Sequence, residues 1–101
     1  MEITKNNIDE LIESLKRKKK IVLEVGFGGG ENLLNMIASD EESYYIGCEP
    51  YLNGMTNFLT NLDTKYYKIV KVFRDDVRVL LHYVPKSFFN NIFILFPDPW
   101  P

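Results

Sequence analysis

Glu24-Val25-Gly26-Phe27-Gly28-Gly29-Gly30-Glu31 is the stretch whose reading decides the fold of this 101-residue chain. The β-branched run 21–25 leads into it, and Leu33, Leu34, Met36 and Ile37 follow at helical spacing. Together they read as strand, glycine loop and helix. Glycines in such a loop let a ligand approach the backbone closely, and the helix N-terminus beyond offers free N–H groups. The dinucleotide fingerprint G-x-G-x-x-G would need a glycine at position 31, where the chain has Glu31, a carboxylate that would repel a pyrophosphate.

Working outward, Ile8, Leu11, Ile12 and Leu15 form one helical face, which predicts a lead-in helix over 7–19 with Asn7 as N-cap and Glu10 as its capping-box partner. Downstream, 44–49 reads as a second strand. Leu52, Met55, Phe58, Leu59 and Leu62 form a helical stripe, 66–73 a third strand, and Asp75-Asp76 opens a helix carrying Val77, Leu80 and Leu81. The apolar run 91–96 reads as a fourth, buried central strand. The order βαβαβαβ over 21–96 implies right-handed crossovers and an α/β fold with a parallel sheet.

Hydrophobic residues make up 46% of the chain and charged residues 26%, which are globular values. A net charge of −2 is a poor match to a self-sufficient nucleic-acid binder. The basic block Lys16-Arg17-Lys18-Lys19-Lys20 reads either as a solvated helix end or as a phosphate-contacting edge. Cys48 is the single cysteine, so no internal disulfide forms, and it reads as a small buried residue. No apolar segment approaches the roughly 18 residues of a membrane span, and no metal-ligand cluster stands out. A soluble, cytoplasmic protein is expected.

Several acids add to the loop. The pattern E-x-G-x-G-x-G over Glu24, Gly26, Gly28 and Gly30 resembles motif I of the class I S-adenosylmethionine methyltransferases. That cofactor has no phosphate and carries a sulfonium and an ammonium, which tolerate nearby acids. Glu49, at the end of the second strand, is placed to accept from ribose hydroxyls. Asp76 reads either as a helix N-cap or, by the resemblance, as a contact to the adenine amino group. With Gly47-Cys48-Glu49-Pro50 and the terminal Phe96-Pro97-Asp98-Pro99-Trp100-Pro101, the chain from about Ile21 onward closely resembles the tRNA (guanine-N7)-methyltransferase family.

The resemblance implies a Rossmann-like class I methyltransferase sheet, truncated after the fourth parallel strand, with residues 1–101 as a partial cofactor-binding domain and 97–101 as an active-site loop. It implies S-adenosyl-L-methionine as cofactor, with Glu24, Gly26, Gly28, Gly30, Glu49, Asp76 and Asp98 contacting it. Asp98 also matches the residue assigned to catalysis. The implied reaction is methyl transfer to N7 of a guanine in the tRNA variable loop. Trp100 either stacks on the base or packs under its loop. The partners implied are tRNA, bound mostly by residues beyond this stretch, and a possible complementing chain. Without a fifth strand the fourth would present an open edge.

A non-catalytic remnant, or half of a split enzyme, is the rival of a different class. A methyltransferase acting on exocyclic amines would carry a D-P-P-Y-like loop, against which Pro97-Asp98-Pro99-Trp100 speaks. His82, the one histidine, reads as a helix-surface or half-buried residue. Tyr44, Tyr45, Tyr66, Tyr67, Phe88 and Phe89 read as core packing at the sheet rather than a stacking platform.

Overall fold

A computed structural model describes residues 2–16 and 20–94. Strand β1 (Ile21–Val25) leads through the glycine loop to helix α2 (Glu31–Ser39), then β2 (Tyr44–Cys48) and α3 (Leu52–Asn61). A 3-10 helix, Thr64–Ile69, precedes β3 (Val70–Phe73), followed by α4 (Val77–Tyr83) and β4 (Asn91–Ile94). Helix α1 (Ile8–Leu15) stands ahead of the sheet in the chain. The four strands are parallel in the order β3-β2-β1-β4.

Two apolar layers cover the sheet because β1 alternates its side chains between them. Ile21 and Leu23 face a core built with Ile8, Ile12 and Leu15 of α1 and Leu80 of α4. Val22 faces the other core, with Leu33 and Ile37 of α2 and Met55 and Phe58 of α3. Residues 21–24 of β1 are all buried, as a central parallel strand requires. The amino-terminal segment closes one sheet edge, where Ile3 N–H donates to the Val72 carbonyl at 2.7 Å.

Four expectations need correction. Asn7 occupies the N-cap position without capping. Its Oδ1 accepts from the Thr4 N–H and its Nδ2 donates to the Glu2 carbonyl, so the side chain is spent on the preceding turn and no capping box forms. The third strand starts at Val70, paired with Tyr45 of β2, because residues 64–69 are wound into the 3-10 helix. Before it, Asp63 caps the 3-10 helix by accepting from the Lys65 N–H at 3.0 Å. Tyr67, in that helix, is exposed instead of packed at the sheet. Finally, β4 is exposed along its described length, with Ile92 and Ile94 each 52% accessible. It pairs with β1 on one side and, among the described residues, with nothing on the other. Part of the block 16–20 and all of 95–101 lie outside the described residues.

Phe58 links the second core to the glycine loop. Its ring lies 5.0 Å from that of Phe27, and a Cβ on Gly30 would meet its Cβ at 2.8 Å. Phe58→Ala should therefore cost about 3–5 kcal/mol, read as a lowered urea midpoint at unchanged slope. A loss below about 1 kcal/mol would show that the loop does not lean on this ring.

Candidate cofactor-binding site

The strand order changes direction beside β1, where the chain leaves β3 and crosses to β4 on the far side. The crevice outside the carboxyl ends at such a switch point is where open α/β sheets bind ligands. A cleft of about 700 Å³ opens there. Its walls come from the ends of all four strands, including Gly26, Gly28, Glu49, Asp75, Asp76 and Ile94.

The glycine loop is shaped by left-handed backbone. Gly26, Gly28 and Gly30 have φ of 67°, 59° and 85°, a region that L side chains rarely occupy. Gly26 N–H makes the last sheet bond, to the Cys48 carbonyl at 2.8 Å. Gly28 N–H turns to Glu49 Oε1 at 2.8 Å, and a Cβ added at Gly28 would meet only open space, which leaves room for a ligand. Gly30 caps α2 against Phe58 and is not part of the cleft wall.

Glu49 is 97% removed from solvent, at 3% exposure. Its second oxygen accepts from the Tyr51 N–H at 3.0 Å. Each carboxylate oxygen keeps a lone pair after these bonds, so the group can accept from a diol while braced by its own backbone. Glu24 differs. It lies one residue back along β1 from the cleft-lining Val25 and does not itself line the cleft. It is fully buried; Oε1 accepts from Asn32 Nδ2 at 2.7 Å, and Oε2 has no partner among the described residues. Burial pushes its carboxyl above the ordinary range, and the Asn32 bond pulls it partly back.

Asp76 is the N-cap of α4. It accepts from the Arg78 N–H at 2.8 Å and holds the Arg78 guanidinium through both oxygens, at 3.0 and 2.8 Å. Those contacts hold its carboxyl down at about 2. Asp75 is less committed: its Oδ1 accepts from the Asp76 N–H at 2.7 Å. Cys48 donates to the Asp75 carbonyl at 3.4 Å. Burial, with the negative charges of Asp76, Asp75 and Glu49 around it, pushes its thiol up to about 12. Asp98 and Trp100 lie outside the described residues.

Three contributors carried no clear mark in the sequence. Gly54 lets α3 approach the loop, since a Cβ there would run into the Gly28 carbonyl; a glycine inside a helical stripe was the available hint. Asn57 Nδ2 donates to the Gly29 carbonyl at 2.9 Å. Asn32 bonds Glu24 across eight residues, which no local pattern reveals. Among the described residues no group of three or more His, Cys, Asp or Glu is placed to hold a metal ion, and no helix is long and apolar enough to cross a membrane.

Residues 18–101 match a protein-family model described as "Putative methyltransferase". A tRNA (guanine-N(7)-)-methyltransferase of Wolbachia pipientis wMel is 40% identical over 98 residues, covering 97% of this chain and 43% of that protein. The enzyme of the same name from Rhizobium meliloti (strain 1021) is 37% identical, covering 82% of this chain and 36% of its own length. The chain thus spans about two fifths of the curated relatives it matches. Among solved structures, an antibiotic-related methyltransferase superposes with a TM-score of 0.64 at 22% identity, over 93% of this chain and 48% of that one. The C-terminal domain of precorrin-6Y C5,15-methyltransferase from Rhodobacter capsulatus gives 0.56 at 19% identity, over 82% and 46%. These two share the fold: a parallel sheet between helices, of the class I methyltransferase type.

Two outcomes follow from the packing. Gly54→Ala should destabilise the protein by about 1–3 kcal/mol, because backbone cannot yield as a flexible side chain would; an unchanged melting temperature would mean the loop moves freely away from α3. Cys48 should resist iodoacetamide in the folded protein at about pH 8, because burial and the surrounding acids keep its thiol protonated, and react on unfolding. Equal labelling rates before and after unfolding would contradict the buried, acid-ringed placement.

Proposed function

The chain belongs to the methyltransferase family that its residues 18–101 match, and from that premise we propose that it forms the S-adenosylmethionine-binding part of an enzyme that methylates N7 of a guanine in the tRNA variable loop. The observation that carries the cofactor is the charge of the cleft. Its walls hold Glu49, Asp75 and Asp76 and, among the described residues, no lysine, arginine or histidine. An acidic cleft repels phosphates and suits a cofactor whose charged groups include a sulfonium and an ammonium. Behind the cleft wall, the buried Oε2 of Glu24 is bare among the described residues, and it would accept from an ammonium that reached past Val25 and Gly26.

Each residue then has a task. Glu49 accepts from the ribose hydroxyls while its own backbone bonds keep it oriented. Gly26 and Gly28 leave the cleft open to the ligand, and Gly30 starts α2 at the height the loop needs. Glu24 takes the ammonium. For the adenine amino group, Asp76 is joined by Asp75, because Asp76 already serves Arg78 and its own helix. When bound, S-adenosylmethionine supplies a methyl group activated by its positive sulfur.

Guanine N7 presents a lone pair, so no proton has to leave before it is methylated. The protein's work is placement. Asp98 is proposed to orient the base by accepting from its N1–H and N2–H₂ edge, and to stabilise the positive charge of the product electrostatically. Trp100 offers a face for the base. Residues 1–101 act as one cofactor-binding unit, and most of the tRNA surface belongs to the part of such proteins beyond this stretch. The exposed side of β4 favours one addition: whatever completes the sheet, in the same chain or a second one, pairs there.

Titration calorimetry with S-adenosylhomocysteine tests the cofactor. Saturable binding is expected, weakened about tenfold to a hundredfold by Glu49→Gln, because a charge-assisted acceptor is lost. A folded protein that binds nothing overturns the proposal. The substrate is tested with an unmodified tRNA transcript and methyl-labelled cofactor, using the chain fused to the remaining length of the Wolbachia relative, which would supply the tRNA surface proposed above. Label should appear at one variable-loop guanine and vanish when that guanine is replaced by adenine; label elsewhere in the tRNA overturns the assignment of the base.

A further inference from the structure

Asn32 stands near the start of α2 and is exposed, at the edge of a hollow shared with Phe27, Glu31, Leu34, Asn57 and Asn61. Its amide nevertheless reaches inward and donates to Glu24 Oε1 at 2.7 Å. Glu24 is completely buried, with Oε2 bare among the described residues. Its register partners are Gly47 on β2 and Phe93 on β4, neither of them charged. The charged groups on the elements around it are Glu49 after β2 and Glu31 at the head of α2, both acids, while α3 and β4 carry none.

No cation therefore compensates this carboxylate from within the described protein. A buried carboxylate in that position is costly to ionise, and a lone bare oxygen is a rarity that asks for a reason. A lysine or arginine at position 32 would have removed the cost by neutralising the charge. An asparagine does something different: it fixes one oxygen by a neutral hydrogen bond and leaves the negative charge available.

We propose that Asn32 is a positioning residue, whose amide holds one oxygen of Glu24 so that the other stays bare, oriented and charged for the ammonium of an amino-acid-bearing cofactor. The inference rests on the reading of the cleft as an S-adenosylmethionine site. It predicts two separable effects. The bond restrains the carboxylate, so the ammonium meets an acceptor whose orientation is already set. The bond also favours the ionised form against burial, so it extends ammonium binding to lower pH.

The test compares the parent protein with Asn32→Ala and Asn32→Asp. Position 32 is exposed and helical, so alanine is well tolerated there. Two ligands are titrated between about pH 3.5 and about pH 9, a range that brackets ordinary and buried glutamates. S-adenosylhomocysteine carries the amino-acid arm, and methylthioadenosine lacks it. The ionisation of the Glu24 carboxyl is followed in parallel by carbon NMR in the ligand-free proteins.

In the parent, affinity for S-adenosylhomocysteine should fall as pH drops through the Glu24 midpoint. Asn32→Ala should move that midpoint up by about one to two pH units, the worth of one hydrogen bond to a charged group. Asn32→Asp should move it further, by adding a like charge. Methylthioadenosine binding should change in neither variant. An Asn32→Ala protein that loses affinity for both ligands equally at every pH, or whose Glu24 midpoint does not move, overturns the inference and leaves Asn32 a structural contact. A parent that binds the two ligands alike, without pH dependence, keeps the adenosine site and overturns the pairing of Glu24 with an ammonium. A parent that binds neither overturns the cofactor reading and this inference with it.

Discussion

The Glu49 carboxylate is the joint on which the cleft depends. One oxygen takes the Gly28 N–H from the loop after β1, and the other takes the Tyr51 N–H at the head of α3. A side chain at the end of one strand thereby holds the turn after its neighbour and the start of the helix that follows it. The bonds satisfy a buried charge with fixed donors, which is the condition under which such a charge is tolerated. Its own backbone N–H is anchored to the Phe73 carbonyl at 3.0 Å, so β3 shares in the arrangement.

From that joint the close contacts spread in both directions. Gly54 brings α3 against the Gly28 carbonyl, Asn57 secures the Gly29 carbonyl, and Phe58 fills the space beneath Gly30. Gly47 is equally constrained: a Cβ there would meet Leu33 at 2.7 Å and Phe27 at 2.9 Å. The absence of a side chain at Gly47 lets Leu33 of α2 pack close to β2, and its absence at Gly30 and Gly54 lets α3 sit against the loop after β1. The same closeness keeps the loop low enough to leave the cleft above it open.

Most of the element pattern was legible in the chain, for a physical reason that differs from element to element. The strand–loop–helix at 21–39 was readable because β-branched runs, glycines with left-handed backbone and a helical apolar stripe are all local demands. The third strand was read too long because Tyr66 and Tyr67 favour strands in general, whereas the Asp63-capped 3-10 helix takes up residues 64–69. The capping box failed because Asn7 had a competing local partner in Thr4. β4 was read as buried because its composition is that of a central strand; its exposure follows from its place at the edge of the described sheet.

What the sequence determined by itself was the order of elements, the glycine-dependent turn after β1 and the acids stationed at strand ends. Each of these is written in residues a few positions apart. Only the tertiary structure decided that β4 crosses to the far side of β1, that Gly54 meets Gly28, that Asp76 is engaged by Arg78, and that Asn32 claims one oxygen of Glu24 and leaves the other bare. These depend on which backbone groups and side chains remain unpaired once the sheet has assembled. That is settled by strand register and helix packing across the whole chain, and not by any local run of residues.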